Sequence, residues 1–283
     1  MRRPTLAWPG GRAGRTILMN FATDARAMLP ELRSYANEIA KRLGPTAVPV
    51  GVKLVTAARE LNELPGVRTL TSTMPCHMVS VARRERDEPV TGAPSQAIKC
   101  VWGAACLGLI RTPERLADGD LNLRFVRDEE AARELHRGMC MLGDDSKYAG
   151  AVIGPLDRIP VLPDAVVIYL SPAQALRLII AFAYARGEAV SCIMTGQASL
   201  CSAIARAVRD GSVTVDIPCI GDHTYGMVQE HELVMAFPAN RLEELVLGLK
   251  ATDKVASYPY GPFTRWPAIM PPSFEPRFAE LDD

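Results

Sequence analysis

Apolar and polar positions along the chain alternate between two periods, and the switches between them predict a succession of helices and strands. Pro30 to Leu43 repeats its apolar residues at helical spacing and is ended by Gly44-Pro45. Strands are expected at Val48–Val55 and Val67–Leu70, followed by a helix from Pro75 to Arg86 with Pro75 in the first turn, where its missing N–H is not needed. Gly92-Ala93-Pro94 reads as a turn, and Ser95 as the N-cap of a helix running to Ile110. Leu121–Val126 alternates as a strand, and Asp128 caps a helix through Gly138.

A similar order follows in the second stretch. Ala151–Leu156 and Ala165–Leu170 read as buried strands, and Pro172–Arg186 as a helix stopped by Gly187. A strand at Ala189–Met194, a Thr195-Gly196 turn and a helix to Arg209 come next, then a strand at Glu232–Phe237 and a helix Asn240–Lys250 capped by Asn240. The expected fold class is therefore α/β, with two similar halves, 29–140 and 148–251, forming a pseudo-duplicated sandwich. One local match supports the repeat: Gln96-Ala97-Ile98-Lys99-Cys100 faces Gln197-Ala198-Ser199-Leu200-Cys201, with Ala104 against Ala205 and Phe125 against Phe237. The few layer architectures open to α/β chains would produce some likeness without duplication.

Residues 1–28 are expected to be a disordered leader: Arg2, Arg3, Arg12 and Arg15 stand there without the apolar run of a secretory signal. Met19 is an alternative start, and a transit peptide would share the composition. Residues 252–283 carry Tyr258-Pro259-Tyr260-Gly261-Pro262-Phe263, Trp266-Pro267 and Pro271-Pro272, which forbid helix and central strand. An extended tail is expected, docked on its own domain, over a pocket mouth, or on a neighbouring subunit in a homo-oligomer.

Composition narrows the function classes. With 283 residues, 48% of them hydrophobic and 23% charged, the chain can bury a sizeable core. Lys plus Arg equals Asp plus Glu at 32 each, so no overall field draws in a phosphate backbone, and nucleic acid is not an expected partner. The most apolar stretch, Leu176–Ala185, includes Arg177 and is too short for a bilayer span, so no membrane partner is expected either. Seven cysteines, an odd number, without an export signal argue for reduced thiols and a cytoplasmic setting.

The candidate chemistry lies in those thiols. Cys76, Cys100 and Cys201 fall at the starts of expected helices, where orphan amides and the helix dipole favour thiolate, the form that attacks electrophiles or binds metal. Cys106, Cys140 and Cys192 sit inside apolar patterns and are expected to pack as small hydrophobes. Asp216–Tyr225 reads as a loop insertion carrying Cys219, Asp222 and His223; it is either functional or a tight turn with Asp222 accepting backbone amides. Cys76, Cys100, Cys201 and Cys219 match no compact Cys-x-x-Cys motif, but iron–sulfur clusters do take ligands from separate loops, and zinc is open with His77 or His223 as a nitrogen ligand. No Gly-x-Gly-x-x-Gly after a strand, Walker Gly-Lys-Ser/Thr or His-Glu-x-x-His occurs, so no nucleotide cofactor is expected. Asp144-Asp145 reads as a solvated turn.

Between Pro49 and Lys250 the chain resembles the domain-of-unknown-function family 169, a conserved archaeal family common in anaerobes. The resemblance is carried by Pro75-Cys76, Cys100 with Gly103-Ala104 and Leu107-Gly108-Leu109, Pro155-Leu156, Pro172-Ala173-Gln174-Ala175, Gly196 and Cys201, Pro218 with Gly221-Asp222, and Leu242-Glu243-Glu244-Leu245 through Gly248-Leu249-Lys250. It implies no activity. It does imply that Cys76, Cys100 and Cys201 are the family's cysteine positions. Two departures stand out: Cys100-Val101-Trp102-Gly103-Ala104 replaces Cys-Pro-Gly-Gly-Ala, and His223 replaces an Arg after Gly-Asp. The leading expectation is a redox or metal-dependent enzyme acting on a small organic molecule through a cysteine-ligated centre of iron–sulfur or zinc type, with Cys76, Cys100, Cys201 and Cys219 as ligands and Asp222 and His223 as catalytic groups. A small-ligand-binding module without catalysis and a metal-free cysteine nucleophile with His223 as base are the alternatives.

Overall fold

A computed structural model describes residues 21–143 and 147–258. Helix α1 (Phe21–Leu43) precedes β1 (Val50–Val55), α2 (Arg59–Glu63), β2 (Arg68–Thr69), α3 (Pro75–Arg84) and β3 (Thr91–Pro94). Three short helices follow, α4 (Val101–Cys106), α5 (Glu114–Ala117) and α6 (Glu129–Gly138), then β4 (Gly150–Pro155), β5 (Ala165–Leu170) and α7 (Pro172–Arg186). Helix α8 (Ser199–Asp210), β6 (Thr214–Asp216), α9 (Ile220–Gly226), β7 (Leu233–Pro238) and α10 (Leu242–Ala251) complete the order.

The strands form one mixed sheet in the order β2-β3-β4-β1-β5-β7-β6, antiparallel throughout except for the β2–β3 pair. Period-two alternation in the central strands assigns each side chain to a face. Ala165, Val167 and Tyr169 of β5 join Val50, Val52 and Leu54 of β1 on one face, against α3 and α8. Val166, Ile168 and Leu170 point the other way, with Met235 and Phe237 of β7, against α1, α7 and α10. Both faces are covered, which explains why β5 is buried along its whole length and apolar except for the Tyr169 hydroxyl. The α/β class therefore holds. No duplication is shown, because β1 from the first stretch lies between β4 and β5 of the second and the sheet does not divide at the expected boundary.

The elements that carried the expected repeat differ in detail. Gly92-Ala93-Pro94 is strand β3, not a turn: Gly92 lacks a side chain because a Cβ there would meet Val67 Cγ1 at 2.8 Å. The helix expected from Ser95 is only a 3-10 turn at Ser95–Ala97, and α4 begins beyond it at Val101. Leu121–Val126 is not a strand, since Asp120–Phe125 winds as a 3-10 turn after Gly119 at φ +83°, with buried Asn122 accepting from Trp102 Nε1 at 3.1 Å. Phe125 is consequently no counterpart of Phe237. Ala189–Met194 pairs with no strand and is largely exposed. Asn240 lies in a 3-10 turn ahead of α10 and makes no side-chain cap. Helix α1 begins before Pro30, at Phe21, so the expected leader is helical from there; residues 1–20, Asp144-Asp145 and the tail beyond 258 lie outside the described residues.

Arg177, fully buried in α7, donates to Thr252 Oγ1 at 2.6 Å, to the Leu249 carbonyl and to Asp253 Oδ1 at 2.9 Å. Asp253 also takes Arg42 Nε of α1 at 2.9 Å, so one ion-pair network locks three helices over the sheet. Helices α7 and α10 approach most closely at Gly248, where a Cβ would lie 2.0 Å from the Ala181 carbonyl oxygen. Gly248→Ala is therefore expected to destabilise the fold by about 3 kcal/mol, the upper end of overpacking costs, read as a lowered denaturant midpoint.

Candidate functional site

Four helix starts meet on the α3/α8 side of the sheet, and each carries a cysteine. Cys76 follows Pro75 in the first turn of α3. Cys100 is the N-cap of α4, its sulfur accepting from the Gly103 N–H at 3.4 Å. Cys201 lies in the first turn of α8, and Cys219 is the N-cap of α9. Their convergence depends on small residues: a Cβ at Gly103 would stand 3.1 Å from Pro75 Cδ and 3.3 Å from Cys201 Sγ, and one at Gly226 would stand 3.3 Å from Cys76 Cβ. Gly103 thus brings the starts of α3, α4 and α8 together, and Gly226 lets α9 lie on α3.

The start of α8 is set by Ala198, which adopts the left-handed conformation at φ +52° in a buried position. A non-glycine residue there costs about 1–2 kcal/mol, offset by the packing around it.

Asp222 joins the elements. Its buried carboxylate accepts the Cys219 N–H at 2.9 Å and the Tyr169 hydroxyl at 3.0 Å, and the Leu200 N–H of α8 also points to it. One side chain therefore connects α9, α8 and the central strand β5. Burial still holds the Asp222 carboxyl above the ordinary aspartate range despite these donors. Tyr169, hydrogen-bonded to Asp222 and fully buried, is likewise pushed up by burial and by the Asp222 charge. Neither Tyr169 nor the backbone part of this network was visible in the sequence; the only available signal was a lone polar group in an otherwise apolar strand.

The thiols themselves depart from the expected thiolates. Burial, reinforced by Asp222, Cys219 and Cys100, raises Cys76; burial also raises Cys100, and Cys201 still further. Burial and the Asp222 charge push Cys219 up to about 12, against the pull of the Asp222 and Ser199 N–H groups on its sulfur. Desolvation outweighs the helix-end amides at all four positions, so the site is a cluster of protonated thiols that feel one another.

His223 directs Nδ1 to the Val228 carbonyl at 2.9 Å, and among the described residues no hydrogen bond joins it to a cysteine. His77, beside Cys76, places Nδ1 2.8 Å from Thr73 Oγ1. Among the described residues no three His, Cys, Asp or Glu side chains converge closely enough to hold a single metal ion. Of the cysteines expected to pack, Cys106 and Cys140 are buried, but Cys192 is exposed in the irregular segment after α7. A hollow of about 210 Å³ lies beside the thiols, lined by Ser72, Thr73, Met74, His77, Lys99 and Tyr225, which include the chain neighbours of Cys76 and Cys100.

The chain belongs to the DUF169 family, described as uncharacterised ArCR, whose model matches residues 38–248. A relative from Methanocaldococcus jannaschii, the uncharacterized protein MJ0308, is 30% identical over 221 residues, covering 76% of this chain and 92% of the relative. No solved structure matches the chain. No helix among the described residues is long and apolar enough to cross a membrane.

Exposure should decide thiol reactivity. Iodoacetamide at pH 7, followed by peptide mass spectrometry, is expected to modify Cys192 at least tenfold faster than Cys76, Cys100, Cys201 or Cys219 in the metal-free protein.

Asp216 at the end of β6 provides a pH signature. Burial raises its carboxyl to about 6, partly opposed by the Ile217 N–H on Oδ1 at 2.7 Å. The folded chain then binds this proton more tightly than the unfolded chain, so stability is lost as pH climbs from about 4 to about 6. Asp216→Asn should remove that loss: between pH 4 and pH 7 the stability of the variant relative to the parent should rise by about 1–2 kcal/mol in denaturant titrations.

Proposed function

We propose that Cys76, Cys100, Cys201 and Cys219 hold a cysteine-ligated redox centre, of iron–sulfur type, in a cytoplasmic enzyme that acts on a small organic molecule. The observation that carries this reading is the convergence of four thiols from four separate helix starts around one buried carboxylate. Protonated thiols gain little from being gathered there, whereas a bound cation reverses the balance: it deprotonates its sulfur ligands, and each thiolate then benefits from its helix-end amides. The N–H groups of Gly103 and Trp102 on Cys100, of Ser199 and Asp222 on Cys219 and of His77 on Cys76 suit this role, since hydrogen bonds to ligand sulfur tune such centres.

A cluster fits the four-thiol set better than zinc does. The side chains do not converge on a single ion, but a cluster distributes its ligands over several irons. When bound, it would supply one-electron transfer. Asp222 and Tyr169 are placed to hold a proton beside the thiols, and the hollow at His77, Lys99 and Tyr225 offers a small molecule polar groups next to Cys76 and Cys100. The metal-free nucleophile is the weaker reading, because burial raises every candidate thiol and His223 Nδ1 is committed to the Val228 carbonyl.

Anaerobic purification followed by iron, zinc and acid-labile sulfide analysis tests this reading. Iron and sulfide in similar amounts are expected, with serine at Cys76, Cys100, Cys201 or Cys219 abolishing both in folded protein. Serine at Cys106 or Cys140 should cost about 1–3 kcal/mol of stability and leave the metal content intact. Protein free of iron and sulfide after strictly anaerobic handling would remove the reading.

A further inference from the structure

A second cavity, of about 410 Å³, lies where the chain leaves the described fold. Pro45, Thr46 and Val48 ahead of β1 and Arg83 and Arg84 at the end of α3 line it, and so does Tyr258, the last described residue. Twenty-five residues follow Tyr258, beginning Pro259-Tyr260-Gly261-Pro262-Phe263. They lie beyond residues 38–248, the part of the chain that the family model matches.

The deeper polar groups of the lining already serve one another. Arg83 pairs with Glu232, both about nine-tenths buried, and its guanidinium carbon stands 4.8 Å from the centre of the Tyr169 ring. Ser171 and Gln174 close the capping box of α7. What is left for an occupant is the surface of Pro45 and the half-buried Val48, and the exposed Arg84, held in place through Nη2 by the Met227 carbonyl at 2.7 Å. An apolar wall beside one exposed guanidinium suits a neutral aromatic group, whose body packs on the wall and whose ring face takes the cation.

The segment that follows Tyr258 has this chemistry. Its first five residues carry no charge and two aromatic rings. Two of the five are prolines, which bring no N–H to be satisfied and hold the backbone extended, so that docking orders the segment at a low entropic cost. Five extended residues reach about 17 Å, enough to cross a cavity of this volume from a start in its own lining. Attachment at Tyr258 also makes the encounter intramolecular, with an effective concentration of millimolar order, which favours the chain's own segment over that of a second copy.

We infer that this cavity is the socket of the chain's own C-terminal tail: residues 259–263 dock in it, with the Tyr260 ring between Arg84 and Val48. The inference is independent of the thiol centre, because docking here requires no metal.

Two measurements on the full-length chain test it. In V48C, the new thiol at the cavity wall is expected to react with iodoacetamide, followed by peptide mass spectrometry, at least tenfold more slowly than the same thiol in V48C/Y260S/F263S, because the docked rings cover it. Equal rates in the two variants would overturn the inference, whether the wall is open in both or covered in both by something else. Photocrosslinking from benzoylphenylalanine in place of Tyr260 needs no change in the cavity and keeps the test decisive if V48C unfolds. Crosslinks to the peptides that carry Val48 or Arg84, within a single chain, are expected. Crosslinks that join two chains, that fall elsewhere on the fold or that do not form would overturn it.

Discussion

The carboxylate of Asp222 is the contact on which the arrangement of the site depends. It accepts the N–H that starts α9, an N–H in the first turn of α8 and the hydroxyl of Tyr169 in the middle of the sheet. A buried carboxylate with several donors costs less than a bare one, but its desolvation still exceeds what the donors return, as its raised titration shows. Such a residue is an expensive way to join three elements that apolar packing could have joined. What it adds is direction: hydrogen bonds orient the first turns of two helices towards each other, which contact between methyl groups does not do.

The same accounting applies to the groups around it. Four thiols are placed where burial opposes their ionisation, and Ala198 is held in a left-handed conformation at the start of α8. Gly103 gives up side-chain packing so that α3, α4 and α8 can begin close together, and Gly226 does so where the end of α9 meets the start of α3. Local costs gathered at one point of an otherwise well-packed α/β fold mark a site shaped for something other than stability. The opposite face of the sheet carries a different polar device, the buried Arg177 network of α7, α10 and α1. Its guanidinium Nη atoms find their partners within the chain and lock helices, while its buried Nε has none among the described residues.

Much of the framework was legible from period alone. The buried strand Ala165–Leu170, the Pro-started helices at Pro75 and Pro172 and the Asp128 cap fall where apolar spacing and cap chemistry put them. The misreadings have physical causes. Gly92 looks like a turn residue, but its missing side chain serves close packing against Val67 within a strand. Leu121, Leu123 and Phe125 alternate as a strand would, yet Gly119 turns the chain into a 3-10 coil that places Asn122 against Trp102. The repeat of Gln-Ala-x-x-Cys marks two helix starts at one site, and it does not extend to two matching halves. At the site, the helix-start positions of Cys76, Cys100 and Cys201 were readable, whereas Cys219, expected in a loop insertion, is the N-cap of helix α9, and the protonation of all four was not readable. Helix-end amides are a local property visible in sequence; desolvation depends on what packs from elsewhere in the chain, as do the partners of Asp222, Tyr169 and Arg83.

The proposal of a cysteine-ligated centre is spatial: it requires that the four helix starts hold one multinuclear cation between them. Anomalous diffraction at the iron edge, from crystals grown and frozen without oxygen, addresses it most directly. The account predicts one strong anomalous peak enclosed by the sulfurs of Cys76, Cys100, Cys201 and Cys219. Iron located away from these sulfurs, or four free thiols in crystals of protein never exposed to oxygen, would contradict it.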